Sequence, residues 1–152
     1  MIKQGTDEVR IQEKMKGFLQ CCKAAGLKIT PQRLAVYRYL LQTQEHPSAE
    51  MLHRQLRTEH PNISLDTVNR TLLTLAEMGV AFVVEGTGEP KRFDADTRNH
   101  QHFRCLQCKR VVDFHHAPFD DVPVPQALQQ GFQVKRKTVY FEGICDHCGA
   151  AH

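Results

Sequence analysis

Between Asn99 and Phe114 the chain reads NHQHFRCLQCKRVVDF. His100 and His102 stand two residues apart, Cys105 and Cys108 form a Cys-x-x-Cys pair, and Asp113 closes the run. A second pair, Cys145 and Cys148, lies in CDHC near the C-terminus. Thiolates and imidazole–carboxylate sets suit different ions and different work. Two Cys-x-x-Cys knuckles can complete a tetrahedral four-cysteine zinc site, which would close the long segment from Cys108 to Cys145 and add directly to folding free energy. Redox dithiols or an iron site are the alternatives at this spacing. In extended backbone, residues 100 and 102 face one side, so both imidazoles can reach one ion. Asp94 before them and Asp113 after them can add oxygens, a set that suits Fe2+, Mn2+ or Zn2+. Solvated surface histidines are the bland alternative.

Other residues carry weaker signals. His46 has nothing in its spacing to join it to the rest. His53, His60, His115, His116, His147 and His152 read as surface residues, and Cys21 and Cys22 as core or idle thiols. A zinc-dependent enzyme using His100, His102 and a carboxylate would need a positioned base. No His-Glu-x-x-His motif is present, so the chain is not expected to be an enzyme.

These residues need a scaffold. The 152 residues suit one compact unit or two small domains. No apolar run is long enough to span a bilayer and the first residues lack an apolar signal core, so no membrane partner and a cytoplasmic location are expected. Cysteines kept reduced there favour metal sites over disulfides. Residues 1–84 hold 11 Lys/Arg against 8 Asp/Glu, and residues 85–152 hold 9 of each, so the surplus charge weakly favours an anionic partner for the first half.

Periodicity predicts a helix over 7–25 with Val9, Met15, Phe18, Leu19 and Cys22 on one stripe. Thr30-Pro31 opens a second helix, Ser48 caps a third, and Ser64 caps a fourth running to Gly79. In the fourth, Leu65, Val68, Leu72, Leu75 and Ala76 form the apolar side, with Thr67, Arg70, Thr74 and Glu77 opposite. Strands over 80–84 and 91–94 flank the turn signal Gly86-Thr87-Gly88-Glu89-Pro90. Helices followed by a two-stranded hairpin describe a winged helix-turn-helix. Beyond it, strands are expected over 102–104, 110–114 and 133–144, with a short helix over 125–130. The fold class is therefore α+β: a winged-helix domain over 1–94, a hinge over 95–99 and a small α/β domain over 100–152. So small a domain needs a structural metal to supplement its core.

The segments LKITPQRLAVYRYL, HPSAEMLHRQL, SLDTVNRTLLTLAEMGV, RFDADTRNHQHFRCLQCKRVVDF and GICDHCG resemble, in order, the ferric uptake regulator (Fur) superfamily of metal-dependent bacterial repressors. The resemblance spans about Leu27 to Gly149. It is strongest to the peroxide-sensing PerR branch, whose regulatory site of three His and two Asp matches His46, Asp94, His100, His102 and Asp113. The iron-responsive branch typically carries Glu where this chain has Asp94 and Asp113, and the zinc-responsive branch usually includes a Cys. The resemblance implies a structural Zn2+ on Cys105, Cys108, Cys145 and Cys148, and a regulatory Fe2+ or Mn2+. It also implies a homodimer formed through the C-terminal strands and binding to a double-stranded DNA operator.

The departures are informative. The recognition helix commonly reads Ala-Thr-Val-Tyr-Arg and here reads Asp66-Thr67-Val68-Asn69-Arg70. Thr67, Asn69, Arg70 and Thr74 are the candidates for base-facing contact, with Lys28 and Arg33 expected at phosphates. A further metal site of some members falls on Asn99, Gln101 and Lys137, and a lysine cannot ligate there as a cation. The implied mechanism is a switch: metal shared by both halves selects one arrangement of them, which sets the spacing of two recognition helices in the dimer. Peroxide acting at Fe2+ would oxidise His46 or His100 and release the DNA. An iron- or zinc-uptake regulator is the alternative within the superfamily.

Overall fold

The computed structural model describes residues 4–86, 88 and 90–150. Thr87 and Glu89 of the expected turn, and His152, lie outside the described residues. The chain divides into two compact units, one of residues 1–84 and 89–97, the other of residues 85–88 and 98–152. Among the described residues, no helix is long and apolar enough to cross a membrane.

The first unit is helical. Helix α1 (Gln4–Ala24) buries Ile11, Phe18 and Cys22 and packs Met15 against the core, a spacing of three to four. Of the residues expected on that stripe, Leu19 is exposed because it falls on the shoulder of the arc, and Val9 because about 100° per residue carries it to the opposite side of the helix. Helix α2 (Pro31–Gln42) starts where Thr30 Oγ1 accepts from the Arg33 N–H, with Pro31 at a position that needs no donor. Helix α3 (Ala49–Leu56) is capped by Ser48, and α4 (Leu65–Glu77) by Ser64. Gly79, at φ 73°, takes the left-handed conformation that lets the chain leave α4.

Val68, Leu72 and Leu75 of α4 meet Val36, Tyr37 and Leu40 of α2 and Leu52 and Leu56 of α3 in one core. Each such aliphatic side chain contributes about 1.5–3 kcal/mol on burial. Leu65, expected on that face, is exposed because it occupies the first turn, beyond the core's edge. Strands β1 (Phe82–Val83) and β2 (Phe93–Asp94) pair antiparallel, Phe82 opposite Asp94. Both are shorter than the sequence suggests.

The second unit is a three-stranded sheet in the order β4-β3-β5, formed by β3 (Gln101–Cys105), β4 (Val111–Phe114) and β5 (Tyr140–Gly143). β3 pairs antiparallel with β4 and parallel with β5. The expected strand over 133–144 is confined to β5. Its partner β3 has five residues, and pairing of His102–Cys105 with Tyr140–Gly143 uses the available edge. Residues 133–138 are exposed and include Lys135, Arg136 and Lys137 in succession. The expected helix over 125–130 is a single 3-10 turn, Gln126–Leu128. A last short helix, α5 (Asp146–Gly149), carries the second cysteine pair. The apolar content of this unit is small: Val111 is buried, and Phe114 and Phe119 pack tilted on Phe141 at 5.6 and 5.8 Å.

Candidate metal centre and nucleic-acid interface

The parallel register of β3 and β5 sets Cys105 opposite Gly143, two residues before Cys145. Knuckle and helix start thereby meet. All four sulfurs of Cys105, Cys108, Cys145 and Cys148 lie within 4.8 Å of one another, and Cys108 Sγ is 3.8 Å from Cys145 Sγ. A tetrahedral ion with Zn–S bonds of about 2.3 Å needs sulfur–sulfur edges of about 3.8 Å. The separation excludes a disulfide between those two sulfurs, which requires about 2.05 Å.

Backbone donors already favour thiolates. The Cys108 and Cys145 N–H groups donate to Cys105 Sγ at 3.5 and 3.4 Å, and these contacts, the Cys108 one foremost, hold its thiol down at about 6. The Cys148 N–H, 3.4 Å from Cys145 Sγ, lowers the Cys145 thiol. Cys148 is pushed up to about 12, chiefly by its contact with Cys145. The contacts that lower Cys105 and Cys145 thus raise Cys148, and a dication bound by the cluster would favour the thiolate form of its ligands. The cluster of four cysteines fits a structural zinc. Arg110 pairs with Asp146 across it, tying the first knuckle to α5.

The nitrogen–oxygen residues form two groups, one in each unit. In the first unit, His46 Nε2 is 3.3 Å from Asp94 Oδ2, and Asp94 Oδ1 accepts from the Asp96 N–H at 2.8 Å. His46 is held at φ 50°, a left-handed conformation that a non-glycine residue adopts at a cost. Arg92 over-determines it: its guanidinium donates to the carbonyls of both Glu45, at 2.7 Å, and His46, and Phe93 N–H bonds Pro47 C=O at 3.0 Å.

In the second unit, antiparallel pairing puts His102 opposite Asp113. His100 Nε2 and His102 Nε2 are 3.1 Å apart, and Asp113 Oδ1 lies 3.2 Å from His102 Nε2 and 3.6 Å from His100 Nε2. Two imidazoles and one carboxylate converging this closely form one face of a coordination sphere, the donor set found around non-haem Fe2+. His100 Nδ1 meets the Arg98 carbonyl at 2.7 Å, so that ring's proton belongs on Nδ1 and its Nε2 lone pair faces the group. His102 Nδ1 faces Glu85 Oε2 at 3.5 Å. Glu85 escaped the sequence reading because it stands 17 residues before His102, at the shoulder of a turn, with no metal-site spacing to flag it.

On α4, Asn69 and Arg70 are exposed, while Thr67 and Thr74 are half-buried. The Ser64 hydroxyl donates to Thr67 Oγ1 at 2.9 Å, and Thr74 Oγ1 donates to the Arg70 carbonyl at 2.9 Å. The hydroxyls are thus engaged by their own helix. Arg70 Nε pairs with Asp66 Oδ2 at 3.0 Å, one turn away. Lys28 is exposed, and its carbonyl accepts from the Arg33 guanidinium. Cys22 lies in the core and Cys21 is exposed. His53, expected at the surface, is half-buried, its Nε2 meeting the Ile63 carbonyl at 2.9 Å. His115 bonds Asp120 at 2.8 Å, and Gln101 bonds Asp120 at 3.1 Å. Lys137 pairs with Asp121 at 2.7 Å, so Gln101 and Lys137 serve in protein contacts.

Residues 24–142 match the sequence profile of the Ferric uptake regulator family. The chain is 31% identical over 138 residues to the peroxide-responsive repressor PerR of Staphylococcus epidermidis, covering 91% of this chain and 92% of that protein. It is 33% identical over 135 residues to the peroxide operon regulator of Bacillus subtilis, covering 89% and 93%. Its fold is similar to a solved zinc uptake regulator complexed with zinc and DNA, with a TM-score of 0.66, 26% identity, and coverage of 93% and 96%.

Proposed function

Since this chain belongs to the ferric uptake regulator family, we propose that it is a metal-dependent repressor that senses peroxide through oxidation of a metal-bound histidine. It is a metal-responsive regulator by family; the peroxide reading is carried by the donor set. His46, Asp94, His100, His102 and Asp113 offer only nitrogen and oxygen, with aspartate at both acidic positions. His100, His102 and Asp113 converge within one unit in the geometry that hard, redox-active dications favour. Both relatives reported above are named for peroxide response.

In this reading the five residues hold one Fe2+ or Mn2+. His46 and Asp94 come from the DNA-binding unit and the other three from the second unit. Ligands from both units bind the ion well in only one arrangement, so binding shifts the population toward it. A second copy of the chain joins through the C-terminal strands, where Phe132, Phe141 and Ile144 are exposed. Two α4 helices then meet an operator, with Thr67, Asn69, Arg70 and Thr74 toward bases and Lys28 and Arg33 at phosphates. The protein works in the cytoplasm, where its thiols stay reduced. When bound, Fe2+ supplies the one-electron chemistry by which peroxide oxygenates a liganding ring. His46 and His100 are the targets; an oxygenated imidazole loses its donor lone pair, and the arrangement is no longer held.

Binding to the protein's own promoter DNA, followed by fluorescence anisotropy with Fe2+ or Mn2+, tests this. Peroxide should abolish binding by the Fe2+ form, add one oxygen mass to a peptide holding His46 or His100, and spare the Mn2+ form. Unchanged histidine masses and intact DNA affinity would refute it. Likeness to a zinc uptake regulator favours one other reading, metal availability as the signal. That reading predicts DNA binding set by Zn2+ or Fe2+ concentration and indifferent to peroxide.

A further inference from the structure

We infer that Glu85 is a positioning residue for the regulatory metal, setting the tautomer and orientation of His102. This rests on the regulatory site proposed above. The two ring nitrogens of His102 face different groups. Nε2 converges with His100 Nε2 at 3.1 Å and Asp113 Oδ1 at 3.2 Å, whereas Nδ1 faces Glu85 Oε2 at 3.5 Å. A neutral imidazole carries one proton, and the nitrogen that ligates must be the other one. In water an unassisted imidazole prefers its proton on Nε2, which here is the nitrogen facing the ligand group. Without metal, Asp113 Oδ1 and His100 Nε2 reinforce that preference; when an ion takes Nε2 in their stead, the carboxylate on the Nδ1 side accepts the ring's remaining proton and so stabilises the metal-ligating tautomer. It also makes Nε2 a stronger donor. At 3.5 Å the contact is long for a hydrogen bond, so its first effect is electrostatic, and it acts on a histidine that is 3% exposed. Because Nδ1 and Nε2 lie on separate edges of the ring, Glu85 cannot itself reach an ion held on Nε2.

Glu85 is built into place. Its other oxygen, Oε1, pairs with the Arg136 guanidinium. The next residue, Gly86, sits at φ 70°, and a Cβ there would lie 2.6 Å from Tyr140 Cε2, so the turn is pressed against β5. The Gly86 carbonyl accepts from the Arg104 guanidinium on β3. Three tethers, from Arg104, Tyr140 and Arg136, thus fix the backbone and one oxygen of Glu85, leaving Oε2 toward His102. Only 14% of the Glu85 side chain is exposed, which keeps its charge effective.

The test uses the full-length protein with its structural zinc retained. Competition with a chelator reads Mn2+ affinity, and nitrogen NMR of the histidine rings with diamagnetic Zn2+ in the regulatory site reads the His102 Nδ1–H resonance. Wild type should show that proton held at Nδ1. Glu85→Ala should shift the resonance and weaken Mn2+ about 10–100-fold, with structural zinc content unchanged. Glu85→Gln, which keeps the shape and an acceptor but loses the charge, should recover only part of the affinity. A wild-type Nδ1–H resonance and wild-type Mn2+ affinity in Glu85→Ala would overturn the proposal. If wild type binds Mn2+ no better than His102→Ala, the regulatory-site reading falls; if wild type binds Mn2+ and Glu85→Ala binds it equally, only the Glu85 proposal falls.

Discussion

His46 sits at φ 50° beside a proline, in a conformation its own sequence disfavours. The compensation comes from Arg92, whose fork spans the carbonyls of Glu45 and His46. Backbone held this way is stored strain, here at a residue proposed above as a metal ligand, and Arg92 fixes its conformation. Replacing the guanidinium frees both carbonyls. Arg92→Ala should cost roughly 1–3 kcal/mol of stability and weaken Mn2+ binding, read by denaturant midpoint and metal titration. An unchanged metal affinity would mean that His46 needs no such support.

At the scale of elements, α4 is the instructive case. Its first turn carries Asp66, which suits the positive end of the helix and pairs with Arg70. Both side chains are well exposed, so the pair contributes at most about 1 kcal/mol and Arg70 leaves it readily. On DNA the carboxylate has two effects: it opposes phosphates, and it can accept from cytosine N4. Asp66→Asn should therefore tighten binding to mixed competitor DNA and narrow the gap between operator and competitor, measured by anisotropy at fixed salt. Stability should barely move. If the substitution weakens all DNA binding, Asp66 is making a contact that its charge alone does not explain.

For the molecule as a whole, the two units rest on different physics. The first has a continuous apolar core drawn from α1 to α4 and the hairpin. The second has Val111 and a few phenylalanines around a sheet of short strands, so the four-cysteine cluster must supply what the core lacks. Removing zinc with a strong chelator, or making Cys145→Ser, should abolish the unfolding transition of the second unit while most helical signal remains. Calorimetry and far-ultraviolet circular dichroism would register the split. Loss of both signals together would show that the units unfold as one.

Much of this protein is legible from local chemistry. Thr30-Pro31, Ser48 and Ser64 announce helix starts because a capping oxygen acts within three residues, and all three serve as caps. Two Cys-x-x-Cys knuckles announce one tetrahedral site because each pair is a local chelate, and the four sulfurs do gather. What failed was long-range. The apparent strand over 133–144 shrank to β5, because strand length is set by the partner edge and β3 offers few residues. Leu65 reads as core by periodicity, yet a helix's first turn can overhang the core it serves. Glu85 carries no motif at all. Its role arises only when a turn pressed on Tyr140 brings a carboxylate to the far nitrogen of a histidine. Local chemistry was enough to read the cysteine cluster, the caps and the family. Tertiary structure alone decided which nitrogen of His102 faces the ligand group and which residue holds it there, because a tautomer depends on the neighbour across the fold.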